Sequence, residues 1–141
     1  MVALNWQSWD EGTMINEAMF AGEQGWVLKP EAYRSHDSTL EPVPAITRET
    51  LDLKITIFAG QHIPFPPNHQ DGEGFYPFVK CELHVDKPEG PIVEGGGRTK
   101  EGKYKLATKH KKTENPDWGL DGAVLSFTGV QNVIEDLSFL R

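Results

Sequence analysis

One stretch of this chain alternates aliphatic and polar residues without a fault, and that period of two decides what the chain can fold into. In Leu51-Asp52-Leu53-Lys54-Ile55-Thr56-Ile57 every second residue is aliphatic. Successive side chains of an extended strand point to opposite faces, so Leu51, Leu53, Ile55 and Ile57 share one face. Tyr76 to Val85 repeats the pattern, with Val79, Cys81, Leu83 and Val85 inward and Lys80, Glu82 and His84 outward. Lys103 to Thr108 alternates again, placing Tyr104 and Leu106 together. Ala123 to Phe127 is a fourth strand candidate and Leu137 to Leu140 the start of a fifth. Long loops lie between them: Gly60 to Gly74, and residues 86–102 with the run Gly95-Gly96-Gly97. Asn115-Pro116-Asp117-Trp118 reads as the turn before the fourth strand, with Trp118 as a core anchor. These features predict a mainly β, antiparallel sandwich, with one buried and one solvated face per sheet.

The first third of the chain has another pattern. Residues 1–7 are mostly apolar and read as a strand buried on both faces. Thr13 is placed to cap a helix from Met14 to Ala21, which Gly22 ends. Met14, Ala18 and Ala21 fall on one side of it. Trp26-Val27-Leu28 reads as extended, stopped by Lys29-Pro30. A strand, a helix and a return strand within thirty residues resemble one unit of an α/β domain, and one such unit cannot bury its own faces. Residues 35–50 offer Ser35, Asp37, Ser38, Thr39, Pro42 and Pro44, which suit a linker. The expected division is 1–34, 35–50 and 51–141.

Cysteine usage and charge bound the setting. One cysteine among 141 residues excludes an internal disulfide framework, so a reducing cytoplasmic compartment is expected. Met1 to Trp6 has neither a basic nor a long apolar signal region. No apolar run is long enough to cross a bilayer, so membrane contact is expected to be peripheral. The net charge is −7, yet seven of the fourteen basic residues lie between Arg98 and Lys112 against one acid, Glu101. That concentrated strip on an acidic body suits an anionic surface. Nucleic acid is the poorer match, because Tyr104 is the only aromatic interleaved in it.

Two motifs carry a resemblance. Val2-Ala3-Leu4-Asn5-Trp6-Gln7 and Gly25-Trp26-Val27-Leu28-Lys29-Pro30 resemble the last strand of the catalytic TIM-type barrel, and the segment after its helix, in eukaryotic phosphoinositide-specific phospholipase C. The later strands, with Asn115-Pro116-Asp117-Trp118, are similar in order and spacing to that family's C2 domain; the Gly-rich insert is similar to fungal members. The resemblance implies a barrel remnant at 1–34 and a truncated C2 domain at 51–141. It implies a calcium-dependent parent enzyme that hydrolyses phosphatidylinositol 4,5-bisphosphate to diacylglycerol and inositol trisphosphate. It also implies that the catalytic histidines, the metal-binding carboxylates and the substrate-binding serine and arginine precede Val2. The chain alone is therefore expected to be a non-catalytic C-terminal fragment. Its partners would be an anionic phospholipid membrane and the missing phospholipase barrel. A free-standing lipid- or protein-binding module is the alternative.

The departures concern calcium. The family commonly places aspartate directly before the proline of its first calcium loop, and here that residue is Tyr76. Asp71 and Glu73, in the long loop Gly60 to Gly74, are the candidate calcium ligands, two carboxylates where six to eight oxygens are needed. His62, His69 and Asp71 fit no compact zinc spacing. The candidate lipid contacts are Lys103, Lys105, Lys109, Lys111 and Lys112, with Phe65 and Phe75 as apolar tips. Two residues apart along a strand, Lys103, Lys105, Lys109 and Lys111 are expected to project together. Cys81 falls on an inward face and reads as a core thiol.

Overall fold

The computed structural model describes residues 4–34, 46–67, 74–86, 95–100 and 102–141. Among these residues five strands are formed: β1 (Glu49–Ile57), β2 (Lys80–His84), β3 (Tyr104–Ala107), β4 (Ala123–Val133) and β5 (Phe139–Leu140). β1 pairs antiparallel with β4. β2 lies between β3 and β5, antiparallel to both. The two sheets bury one shared core. Leu125, Phe127 and Val130 of β4 meet Cys81 and Leu83 of β2 and Tyr104 of β3. Leu51, Leu53, Ile55 and Ile57 pack against that cluster from β1, as the alternation predicts. Phe127 and Val130 have no solvent exposure, and the Tyr104 and Phe127 rings meet edge to face across the layers at 6.5 Å. The mainly β, antiparallel two-layer reading is borne out.

The fourth strand is longer than its sequence pattern shows. The pattern ends at Phe127, but β4 continues to Val133 through two bulges. Leu53 pairs with Phe127, Leu51 with Val130 and Glu49 with Val133, so β4 gains one residue on β1 at each step. The extra residues coincide with left-handed backbone at Gly129 (φ 65°) and Asn132 (φ 62°). The Gly129 amide donates to Asp52 Oδ1 at 2.7 Å, which ties the first bulge to β1. Each bulge reverses the in-out parity once. Leu125 and Phe127, then Val130, then Val133 thus all reach the core side, although their spacing is not even.

The glycine run beside β3 closes the sandwich. Gly97 has φ 77°, and a Cβ there would lie 2.7 Å from Phe127 Cδ1 and 3.0 Å from Leu106 Cδ1. Its carbonyl accepts from the Lys105 amide, while the Gly96 carbonyl accepts from the Thr128 amide. One loop strand therefore bonds to both sheets.

The first third differs from expectation in three ways. The helix α1 (Glu11–Phe20) forms, but Asp10 caps it, accepting from the Thr13 amide at 2.9 Å. Asp10 stands three residues before that amide, the reach an N-cap needs. Thr13 is inside the helix, fully buried, and donates its hydroxyl to the Ser8 carbonyl. Gly22 adopts the left-handed stop. Second, Leu4 to Gln7 and Trp26 to Leu28 form no strand, because no neighbouring strand offers them a ladder. The strand–helix–strand unit is thus a capped helix with irregular flanks. Third, Ala18 and Ala21 stay exposed, so the apolar stripe of α1 is not covered. The segment is held to the sandwich by polar links. Glu11 meets His84 at 3.4 Å and the Tyr33 hydroxyl donates to Asp86 at 3.2 Å. Residues 35–45 of the expected linker lie outside the described residues.

Phe127→Ala is expected to destabilise the fold by about 3–5 kcal/mol, because it empties the centre of both layers. Gly97→Ala is expected to destabilise it as well, through the left-handed backbone and the contact with Phe127. Urea unfolding followed by circular dichroism checks both; midpoints equal to that of the parent chain would contradict this core.

Candidate functional site

The basic strip does not form one surface; the structure divides it between two concavities. Lys103 and Lys105 stand beside Glu82 and His84, around a cavity of about 160 Å³ between α1, β2 and β3. Lys109 and Lys111 come after β3 and line a separate cleft of about 530 Å³ against the start of β4. Lys112 lies 6.0 Å over the ring of Tyr76. The cause is local: the ladder of β3 ends at Ala107 and the chain then turns to run beside Pro77 and Trp118. The Lys111 amide bonds to the Pro77 carbonyl, and the Trp118 indole N–H donates to the Lys109 carbonyl at 3.1 Å. Trp118 is therefore a half-buried staple, while its neighbour Pro116 is the fully buried anchor.

Glu82 controls the first cavity. Its carboxylate is largely buried and pairs with Lys80 at 3.2 Å, Lys105 at 3.3 Å and Arg141. Burial raises its pKa; hydrogen bonds from Lys80 and Lys105 and the charge of Arg141 outweigh that and leave it below 4.5. With Glu11 and His84 it forms a cluster whose ligand atoms lie within 4.8 Å of one another. Three cations already neutralise Glu82, so a divalent ion there would meet excess positive charge. His84 Nε2 is buried without a hydrogen-bond partner among the described residues. Sequence reading missed this cluster because Glu11 and Glu82 are 71 positions apart.

Trp118, which lines the second concavity, belongs to a turn that is tied to the segment after β1. The Gly60 amide bonds to the Pro116 carbonyl, the Trp118 amide to the Phe58 carbonyl and the His62 amide to Asn115 Oδ1. Phe78 stacks on His110 with centroids 4.4 Å apart, and His110 Nδ1 lies 3.1 Å from the Tyr76 carbonyl. Phe58, Tyr76, Phe78 and Leu120 are exposed here. Phe65 and Phe75 pack edge to face at 4.9 Å. Asp71, Glu73 and His69 lie outside the described residues, as do residues 1–3 at the start of the Val2–Gln7 motif. Cys81 is buried, and burial pushes its thiol pKa up, away from the reactive thiolate.

With this geometry in view, comparison with known proteins gives the class. Residues 1–32 match the family model described as phosphatidylinositol-specific phospholipase C, Y domain. The resemblance to phosphoinositide-specific phospholipase C is therefore borne out, and the chain is a relative of those enzymes. It is 32% identical over 94 residues to 1-phosphatidylinositol 4,5-bisphosphate phosphodiesterase 1 of Candida albicans, covering 59% of this chain and 9% of that one. It is 27% identical over 145 aligned positions to the phosphodiesterase 1 of Saccharomyces cerevisiae, covering 88% of this chain and 16% of that one. With the gamma-2 phosphodiesterase of Rattus norvegicus it shares 33% over 66 residues, 45% of this chain and 5% of that one. The chain thus spans at most about a sixth of these relatives' length. No solved structure matches it. No helix among the described residues is long and apolar enough to cross a membrane.

Glu82 has a pH signature. Its folded pKa is depressed, so the stability it contributes is present above the ordinary 4.5 and is lost as the pH falls through the lower folded value. Glu82→Gln is expected to flatten the acid limb of a plot of urea midpoint against pH, relative to the parent chain. Parallel acid limbs would show that the three cations do not depend on this carboxylate.

Proposed function

We propose that the β-sandwich is a C2-type module that attaches a phosphoinositide-specific phospholipase C to anionic phospholipid membranes. The observation that carries the reading is the grouping of Lys109, Lys111 and Lys112 with exposed Phe58, Tyr76, Phe78 and Leu120 at one end of the fold. Apolar tips beside fixed positive charge are the chemistry of peripheral binding. Each lysine near an anionic leaflet contributes about 1 kcal/mol, and the rings enter the headgroup layer. Phe65 and Phe75 extend that apolar edge. The reaction belongs to the enzyme as a whole, cleavage of phosphatidylinositol 4,5-bisphosphate as its relatives' names describe, and this chain contributes location at the cytoplasmic face of a membrane. The exposed Trp6, Trp9, Trp26 and Leu28 support a second contact, with the phospholipase barrel. Calcium would enter through Asp71 and Glu73.

Sedimentation with vesicles tests the attachment. The chain is expected to pellet with phosphatidylserine vesicles and not with phosphatidylcholine alone, and less at high salt. Replacing Lys103, Lys105, Lys109 and Lys111 by Ala is expected to weaken binding about a hundredfold, from roughly three effective charges at about 1 kcal/mol each. Unchanged binding in that variant would refute the reading.

A further inference from the structure

Three hydroxyl side chains lie between Arg98 and Thr113, and the structure separates them. Thr108 is buried, and its Oγ1 accepts from the Val79 amide at 3.0 Å. Thr99 is half-buried in the turn before β3, where its Oγ1 accepts from the Lys103 amide at 3.2 Å and its own amide donates to the Lys103 carbonyl. Thr113 is exposed. Its Oγ1 accepts from the Asn115 amide at 3.1 Å, a bond that uses a lone pair and not the hydroxyl proton.

The surroundings of Thr113 are chemically one-sided. Lys109, His110, Lys111 and Lys112 precede it without interruption, and Glu114 follows. Residues 112–115 form a bend outside any helix or strand, so the cleft of an enzyme can take this hydroxyl without dismantling a ladder. The chain on either side is tied down. The Lys111 amide bonds to the Pro77 carbonyl, the Ile63 amide to the Glu114 carbonyl and the His62 amide to Asn115 Oδ1. A group added to Thr113 therefore stays beside Lys111 and Lys112 instead of swinging away with a loose loop.

Resting on the membrane reading above, we propose that Thr113 is a phosphorylation site for a kinase that selects basic residues ahead of its acceptor, and that the phosphate switches the adjoining lysines off the membrane. The γ-phosphoryl group of ATP passes to Thr113 Oγ1. The Oγ1–P bond forms, the bond from phosphorus to the bridging oxygen breaks to release ADP, and the hydroxyl proton goes to the carboxylate base of the kinase. The product carries a charge of about −1.5 to −2 at neutral pH. Set against Lys109, Lys111 and Lys112, that cancels roughly two of three positive charges. Because the Thr113 side chain is exposed, the phosphate meets no core and leaves the sandwich folded.

The test uses the full chain, ATP with magnesium, and the catalytic subunits of two basic-directed kinases, protein kinase A and protein kinase C. Mass spectrometry is expected to find phosphate on Thr113 and none on Thr108. Thr113→Ser is expected to remain a substrate at that position, and Thr113→Ala to lose it. The phosphorylated chain is expected to partition to phosphatidylserine vesicles about thirtyfold more weakly, the equivalent of two lysines at about 1 kcal/mol each, and to recover after phosphatase treatment. Unphosphorylated Thr113→Ala is expected to bind within about threefold of the parent chain, which separates added charge from the lost hydroxyl bond. No incorporation at Thr113 with either kinase would overturn the site. Incorporation without weaker binding would overturn the switch and leave the membrane reading standing. An unmodified chain that ignores phosphatidylserine vesicles would remove both.

Discussion

The contact on which the rest depends is the burial of Phe127 between two small sheets. Among the described residues one sheet has two strands and the other three, and neither has enough apolar area to persist alone in water. Phe127 and Val130 reach from the two-stranded sheet into Cys81, Leu83 and Tyr104 of the other. The Gly97 loop can bond to both layers only because nothing larger than hydrogen separates it from Phe127. Tyr104 of β3 faces the same core, and Lys105 beside it turns outward.

The sequence shows the strands and hides their ends. A period of two is read directly from Leu51 to Ile57 and from Val79 to Val85, because each has one solvated and one buried face. β4 obeys the same rule, but Gly129 and Asn132 interrupt its spacing, and both residue types also mark turns. Only pairing with β1 shows that they are bulges within one strand. The cap of α1 is ambiguous for a similar reason. Asp10 and Thr13 are both good capping residues, and the choice depends on where the preceding turn ends. At the other end of the molecule the Asn115–Trp118 motif is visible as a turn, but which member fills the core depends on the loops around it.

The candidate site is legible as composition and not as geometry. Seven basic residues in fifteen positions are plain in the chain, and they suggest a single charged face. What divides them is Glu82, which belongs to a different strand, and the end of the β3 ladder at Ala107. Long-range pairing of this kind leaves no periodic trace. The relation to phosphoinositide-specific phospholipase C is legible because it rests on contiguous motifs, which need no folding to be read. The side chains of Trp6 and Trp26 find no core among the described residues.

The paired bulges of β4 also bear on how such a sandwich varies in length. In a regular strand, adding or removing one residue turns every later side chain inside out. At Gly129 and Asn132 the extra residue is already set aside from the ladder, so its loss restores plain alternation and leaves Val130 and Val133 facing inward. The strand therefore has two joints where a single codon can be dropped without rewriting the core, while the same deletion near Leu125 would present Phe127 to water.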